Sequence, residues 1–146
     1  MSEANHVLLV ANRTATTGSL RETVKRLAES GATTFHLVVP AVPQGLHRIV
    51  DPEVAGRQEA QVQLDAALPP LSEAAGSEVT GEVGSADPFA AIQDAIGSRR
   101  VDEVVISTLP KRMSRWLKVD LPSKTRGLGL PVTHVEARTA EAEHAA

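Results

Sequence analysis

A chain of 146 residues is long enough for one domain with a sizeable core, and the absence of cysteine excludes disulfides, thiolate metal sites and cysteine nucleophiles. The net charge of −3 carries no global nucleic-acid signature, so neither nucleic acid nor membrane is expected as a partner. No early apolar run has the length of a signal peptide or a membrane span, which makes a soluble, cytoplasmic protein the expectation.

Aromatic residues are few, only Phe35, Phe89 and Trp116, so the core must be built from Val, Leu, Ile and Ala. His6 to Ala11 is a short apolar run ending at Asn12 and reads as a buried strand. Ser19 and Glu22 have the spacing of a capping box, after which Leu20, Val24, Leu27 and Ala28 share one helical face, with Gly31 at the expected end. Phe35 to Val39 reads as a second buried strand stopped by Pro40. The stretch from Ala41 to Val50 is polar and loop-like. Asp51-Pro52 has the chemistry of a helix start, and that helix is expected to reach about Ala75, kinked or divided at Pro69-Pro70.

Val79 to Val83 alternates like a strand with one wetter face. Asp87-Pro88 opens a further helix whose Phe89, Ile92 and Ile96 face inward. Val104 to Ser107 is a fully apolar strand that ends in two hydroxyls and Pro110, followed by a basic loop containing Trp116. Asp120 is placed to cap a helix through about Arg126, with Pro122 tolerated in its first turn and Gly127 and Gly129 at its end. Pro131 to Val135 is the last strand, and residues 138–146 read as a frayed tail.

The order βαβαβαβαβ predicts one α/β domain over residues 1–137, a doubly wound five-stranded parallel sheet with right-handed crossovers. Its ligand crevice belongs at the carboxyl ends of the strands, where the loops after Ala11 and after Ile106 meet. A strand, a loop and a helix N-terminus in that order make a natural anion site. Close backbone approach to a phosphate normally uses glycine, however, and there is none from Ser107 to Ser123.

Several segments together resemble the universal stress protein family. Val7 to Thr14 is similar to its first strand and the Val-Asp-Gly-Ser turn. Gly84-Ser85-Ala86-Asp87-Pro88 is similar to its Gly-Asp-Pro entry to the third helix. Leu130 to Val135 is similar to its Cys-Pro-Val-Leu-Val-Val final strand. The resemblance covers about residues 5–137. It implies a Rossmann-like, adenine nucleotide alpha hydrolase-like fold, a stress-response role, and dimers that pair the last strand about a two-fold axis, here through Val132, Thr133, His134 and Val135.

The ATP-binding members of that family carry Gly, two residues, Gly, nine residues, then Gly-Ser or Gly-Thr. Those positions fall here on Ser107, Pro110, Asp120 and Leu121, while Asn12 and Arg13 stand where the family has Asp and Gly. Pro110 removes an amide from the phosphate loop, and a carboxylate at Asp120 would satisfy a helix N-terminus and repel phosphate. The candidate cleft comprises Ala11, Asn12, Arg13, Val39, Ser107, Thr108, Pro110, Arg112, Asp120 and Leu121. It is expected to be a degenerate nucleotide cleft that binds ATP weakly or not at all, so no cofactor is assigned.

Residues 111–126 carry a charge of +5 and the remainder −8. Lys111, Arg112, Arg115 and Lys118 form either a site for a small anionic ligand or protein partner, or a solvated basic face. Ser107 and Thr108 either bond a ligand or satisfy the strand end, and Asn12 either reads a ligand or caps its turn. Met113, Trp116 and Leu117 are helically spaced and read as core or interface rather than a stacking platform. The five histidines show no metal spacing, and no nucleophile, base and acid can be assembled from the order of residues. The expectation is a regulatory binding module rather than an enzyme. The alternatives are an ATP- or AMP-binding protein with slow hydrolysis, and a structural dimer scaffold.

Overall fold

The computed structural model describes residues 4–42 and 52–140. Five strands, β1 (Asn5–Val10), β2 (Thr33–Pro40), β3 (Thr80–Gly84), β4 (Glu103–Thr108) and β5 (Val132–Glu136), form one sheet in the order β3-β2-β1-β4-β5, with every pairing parallel. The connecting helices are α1 (Gly18–Glu29), α2 (Pro52–Ala75), α3 (Pro88–Ser98), α4 (Arg115–Lys118) and α5 (Leu121–Arg126). The doubly wound parallel sheet expected from the sequence is the observed one.

The central strands read as continuous apolar runs because both of their faces are covered. On one face Val7, Leu9, Phe35, Leu37, Val39 and Val105 pack with Leu20 and Val24 of α1 and Leu64, Ala67 and Leu71 of α2. On the other, Leu8, Val10, Val38, Val104 and Ile106 pack with Ala91, Ile92 and Ala95 of α3 and Leu121 of α5. Gly84 ends β3 because nothing larger fits: a Cβ there would lie 2.9 Å from both Ala91 Cβ and Val38 Cγ1.

The structure corrects three local expectations and adds detail to a fourth. Helix α1 starts at Gly18 with extended Thr17 as its N-cap, so Ser19 lies buried in the first turn and not at the cap position. Pro69 and Pro70 do not divide α2, which runs through both. The prolines forfeit two amide donors, but Ala60, Leu64, Ala67 and Leu71 on either side of them are buried in the core and anchor the helix. The basic loop contains a helical turn, α4, capped by the Ser114 hydroxyl, which accepts from the Leu117 amide at 3.3 Å. At the start of the tail, Arg138 Nη2 meets both carboxylate oxygens of exposed Glu22 at 3.1 and 2.9 Å, and residues 141–146 of the expected frayed tail lie outside the described residues. The expected Asp51 cap and most of the Ala41–Val50 loop lie outside the described residues. No helix among the described residues is long and apolar enough to cross a membrane.

Candidate functional site

The chain winds from β1 outward to β2 and β3, then returns to place β4 and β5 on the other side. The helices after β1 and β4 therefore lie on opposite faces, and the loops at the carboxyl ends of these two strands separate. A cleft of about 310 Å³ opens there, near the lower end of the usual range for ligand pockets. Its walls are Asn12, Arg13, Thr14, Val42, Ser107, Thr108, Leu109, Met113, Arg115 and Trp116.

The turn after β1 is built on its own backbone. The Ala15 amide donates to Asn12 O at 3.1 Å, and Thr17 donates to Thr14 O through its amide at 3.1 Å and its hydroxyl at 2.8 Å. The Asn12 side chain turns sideways and donates from Nδ2 to Pro40 O at 2.6 Å, which pins the end of β2 to the turn. Across the cleft, Thr14 Oγ1 and Ser107 Oγ share a hydrogen bond of 2.7 Å although 93 residues separate them. Thr108 Oγ1 lies 2.7 Å from His134 Nε2 on β5. The four polar side chains that floor the cleft, Asn12, Thr14, Ser107 and Thr108, thus each have a hydrogen bond within the protein.

The loop after β4 is held at both ends. Thr108 O accepts from the Ala137 amide at 2.9 Å, and the Lys111 amide donates to Glu136 Oε1 at 2.6 Å. Met113 and Trp116 reach back to the cleft, and Trp116 is half-buried against the α3–α5 core. The helical spacing of this apolar set therefore serves packing and lines the cleft at once. Burial lowers the pKa of His134 below the ordinary imidazole value; Glu136 pulls it up, and Arg126 pushes it down again.

Of the ten expected site residues, Asn12, Arg13, Ser107 and Thr108 are in the cleft wall. Ala11, Val39 and Leu121 are instead buried among core side chains, and Pro110, Arg112 and Asp120 are not part of the wall. Arg115, one of the cations that the sequence offers for an anion, is in the wall too, and Thr14, Val42, Leu109, Met113 and Trp116 join it without having been expected there. Thr14 has no local signal, because its partner Ser107 is remote in sequence. Met113, Arg115 and Trp116 share the basic, Trp-bearing segment that did draw notice.

Asp120 overturns the expected cap. It occupies the N-cap position of α5, but its backbone is left-handed at φ 54° and ψ 48°, and its side chain makes no capping hydrogen bond. An N-cap side chain reaches the first amides from an extended backbone. The left-handed turn denies it that approach, so the carboxylate does not occupy the α5 amides. Among the described residues, Lys111, Arg112, Arg115, Lys118, Lys124 and Arg126 form no salt bridge. No group of three or more metal-ligating side chains occurs among the described residues.

No family model matches the sequence, and no curated protein matches it. Solved structures do. A protein of the universal stress protein family from Burkholderia pseudomallei is 16% identical, with 92% of this chain and 98% of that one covered at a TM-score of 0.64. A universal stress protein in complex with cAMP is 16% identical, with coverages of 94% and 100% and a TM-score of 0.62. The universal stress protein from Archaeoglobus fulgidus in complex with dAMP is 18% identical, with coverages of 92% and 99% and a TM-score of 0.54. The chain has the universal stress protein fold.

Proposed function

We propose that this protein is a universal stress protein-like regulatory module whose switch-point cleft acts by binding a small anionic ligand rather than by catalysis. The observation that carries this reading is the self-paired floor: Asn12 with Pro40, Thr14 with Ser107, and Thr108 with His134. The bonds already made, each worth about 1 kcal/mol, fix the orientation of these groups, and a ligand meets the donor and acceptor capacity that they leave over. The charged side chains in the wall, Arg13 and Arg115, are both cationic and favour an anion. Among the described wall residues none is a carboxylate or an imidazole that could act as a general base.

MgATP fits this arrangement poorly. No carboxylate in the described wall is placed to hold the metal, and the cleft volume is near the lower end of the ligand-pocket range. The competing reading, a protein that binds ATP or AMP and hydrolyses ATP slowly, draws support from Trp116 beside the two arginines and from the neighbours solved with cAMP and dAMP. Calorimetry separates the two. The expected result is measurable binding of cAMP and little or no heat with MgATP. Micromolar MgATP binding, on the order of −8 kcal/mol, would overturn the preferred reading.

The same reading includes a homodimer through β5. Within the described residues β5 pairs only with β4. The Ala137 amide points inward to Thr108 O, and by strand alternation so do those of Val135 and Thr133. The amides of Val132, His134 and Glu136 then point to the open edge, which invites a second strand. Sedimentation at micromolar concentration is expected to show a dimer that Val132→Pro weakens. A monomeric parent chain refutes the interface, and a variant that remains fully dimeric places it elsewhere.

A further inference from the structure

Thr108 belongs to two environments. It lines the cleft, is 2% exposed, and its hydroxyl lies 2.7 Å from His134 Nε2. His134 is not in the cleft wall. A hydroxyl has one proton, and that proton can serve only one of these two neighbours at a time.

We propose that His134 is a positioning residue that sets the hydrogen-bonding polarity of the Thr108 hydroxyl, and that protonating it makes the cleft a stronger anion site. This inference rests on the anion-binding reading above and adds its regulation. In the neutral tautomer with its proton on Nδ1, on which the inference depends, Nε2 is bare: the ring accepts the Thr108 proton and the hydroxyl offers the cleft only lone pairs, which repel an anion. The protonated ring donates from both nitrogens. Thr108 must then accept from Nε2, and its own proton turns toward the cleft as a donor. The positive charge one bond away strengthens that donor.

The surroundings make such a change reachable. The groups facing the ring are Thr108 from β4, Arg126 from α5 and Glu136 on its own strand. Burial and Arg126 keep the ring neutral at neutral pH, while Glu136 offers the proton-bound form a counter-charge. Arg13 and Arg115 in the wall keep their charge throughout and contribute no pH dependence of their own.

The test uses cAMP, because its phosphodiester keeps one charge across the range in which histidine titrates. Affinity is measured by calorimetry at about pH 5.5 and about pH 8. The parent chain is expected to bind about tenfold more tightly at the lower pH, as a single linked proton allows. His134→Gln and Thr108→Val should each flatten that difference, and Thr108→Ser should keep it. By reciprocity, bound cAMP must raise the His134 pKa, which imidazole NMR of the unmodified chain reads without any variant.

Equal affinity at the two pH values overturns the inference and leaves the binding reading standing. So does an unmoved His134 pKa on binding, or a difference that survives in His134→Gln or Thr108→Val. The survival of the difference in Thr108→Val alone would show that the ring acts through its charge and not through the hydroxyl. Absence of cAMP binding at both pH values overturns both the inference and the reading beneath it.

Discussion

Asp87 and Asp120 both stand at helix entries among the described residues, and the sequence treats them alike. Asp87 precedes Pro88, and Asp120 precedes Leu121-Pro122. At Asp87 the backbone is extended, at φ −83° and ψ 113°, and the carboxylate accepts from the Phe89 amide at 3.1 Å. At Asp120 the backbone is left-handed and the carboxylate caps nothing. The difference lies in how each chain arrives. Asp87 follows a strand and the short Ser85-Ala86 linker, so it can enter from the β region. Asp120 comes one residue after α4, with its amide donating to Leu117 O at 3.2 Å, and the chain must pass from one helix to the next within Val119 and Asp120. Asp is among the few residues that tolerate that conformation. A capping residue thus predicts a cap only when the preceding backbone delivers it extended.

Acid is the largest effect to control before that comparison is made. His36 is lowered in pKa by burial first and by Arg99 next, with Glu82 opposing, and His134 is lowered as described. For both groups the unfolded chain takes the proton more readily than the folded one. Stability is therefore full above the unfolded value of about 6.5 and falls as pH drops below it, at up to about 1.4 kcal/mol per pH unit for each proton. Urea midpoints that stay flat from about pH 7 to about pH 5 would show that neither imidazole is held neutral by the fold.

At neutral pH, Asp87→Ala is expected to cost about 1 kcal/mol, the usual value of a working cap. An unchanged midpoint would remove one side of the comparison. Replacement by glycine gives the sharper contrast, because its sign should differ between the sites. Asp87→Gly should lose a few tenths of a kcal/mol, whereas Asp120→Gly should gain up to about 1 kcal/mol by relieving the left-handed backbone. A loss at both sites would mean that Asp120 caps in solution after all. The smallest effect belongs to Glu22→Ala, which removes the exposed partner of Arg138. It should change stability by less than about 0.5 kcal/mol and sets the scale for a carboxylate contact without burial.

The fold was legible because its signals are local and repeated. The apolar runs at Val7–Val10, Leu37–Val39 and Val104–Ile106 are buried on both faces, and such strands need no alternation to be recognised. The cleft was only partly legible. Its position follows from topology, which brought Asn12, Arg13, Ser107 and Thr108 to its wall. The Thr14–Ser107 bond and the return of Met113 and Trp116 depend on tertiary placement, and no spacing along the chain encodes them. The misread starts, at Ser19 and Asp120, share one cause: a capping side chain is visible in the sequence, but the dihedral angles that let it cap are not.

The placement of β1 also fixes when the cleft can come into being. β1 meets β2 through a short crossover, but its other neighbour, β4, comes from far along the chain: the His6 amide is bonded to Asp102 Oδ2 across 96 residues. Closing so long a loop is slow and entropically costly, so the β1–β2 hairpin-free pair can form early while β4 docks late. A chain emerging from the ribosome holds β1 with one side bare until residues beyond Thr108 are free. Both walls of the cleft exist only after that docking, so ligand binding during synthesis would report the arrival of β4 and not merely the first strand pairing.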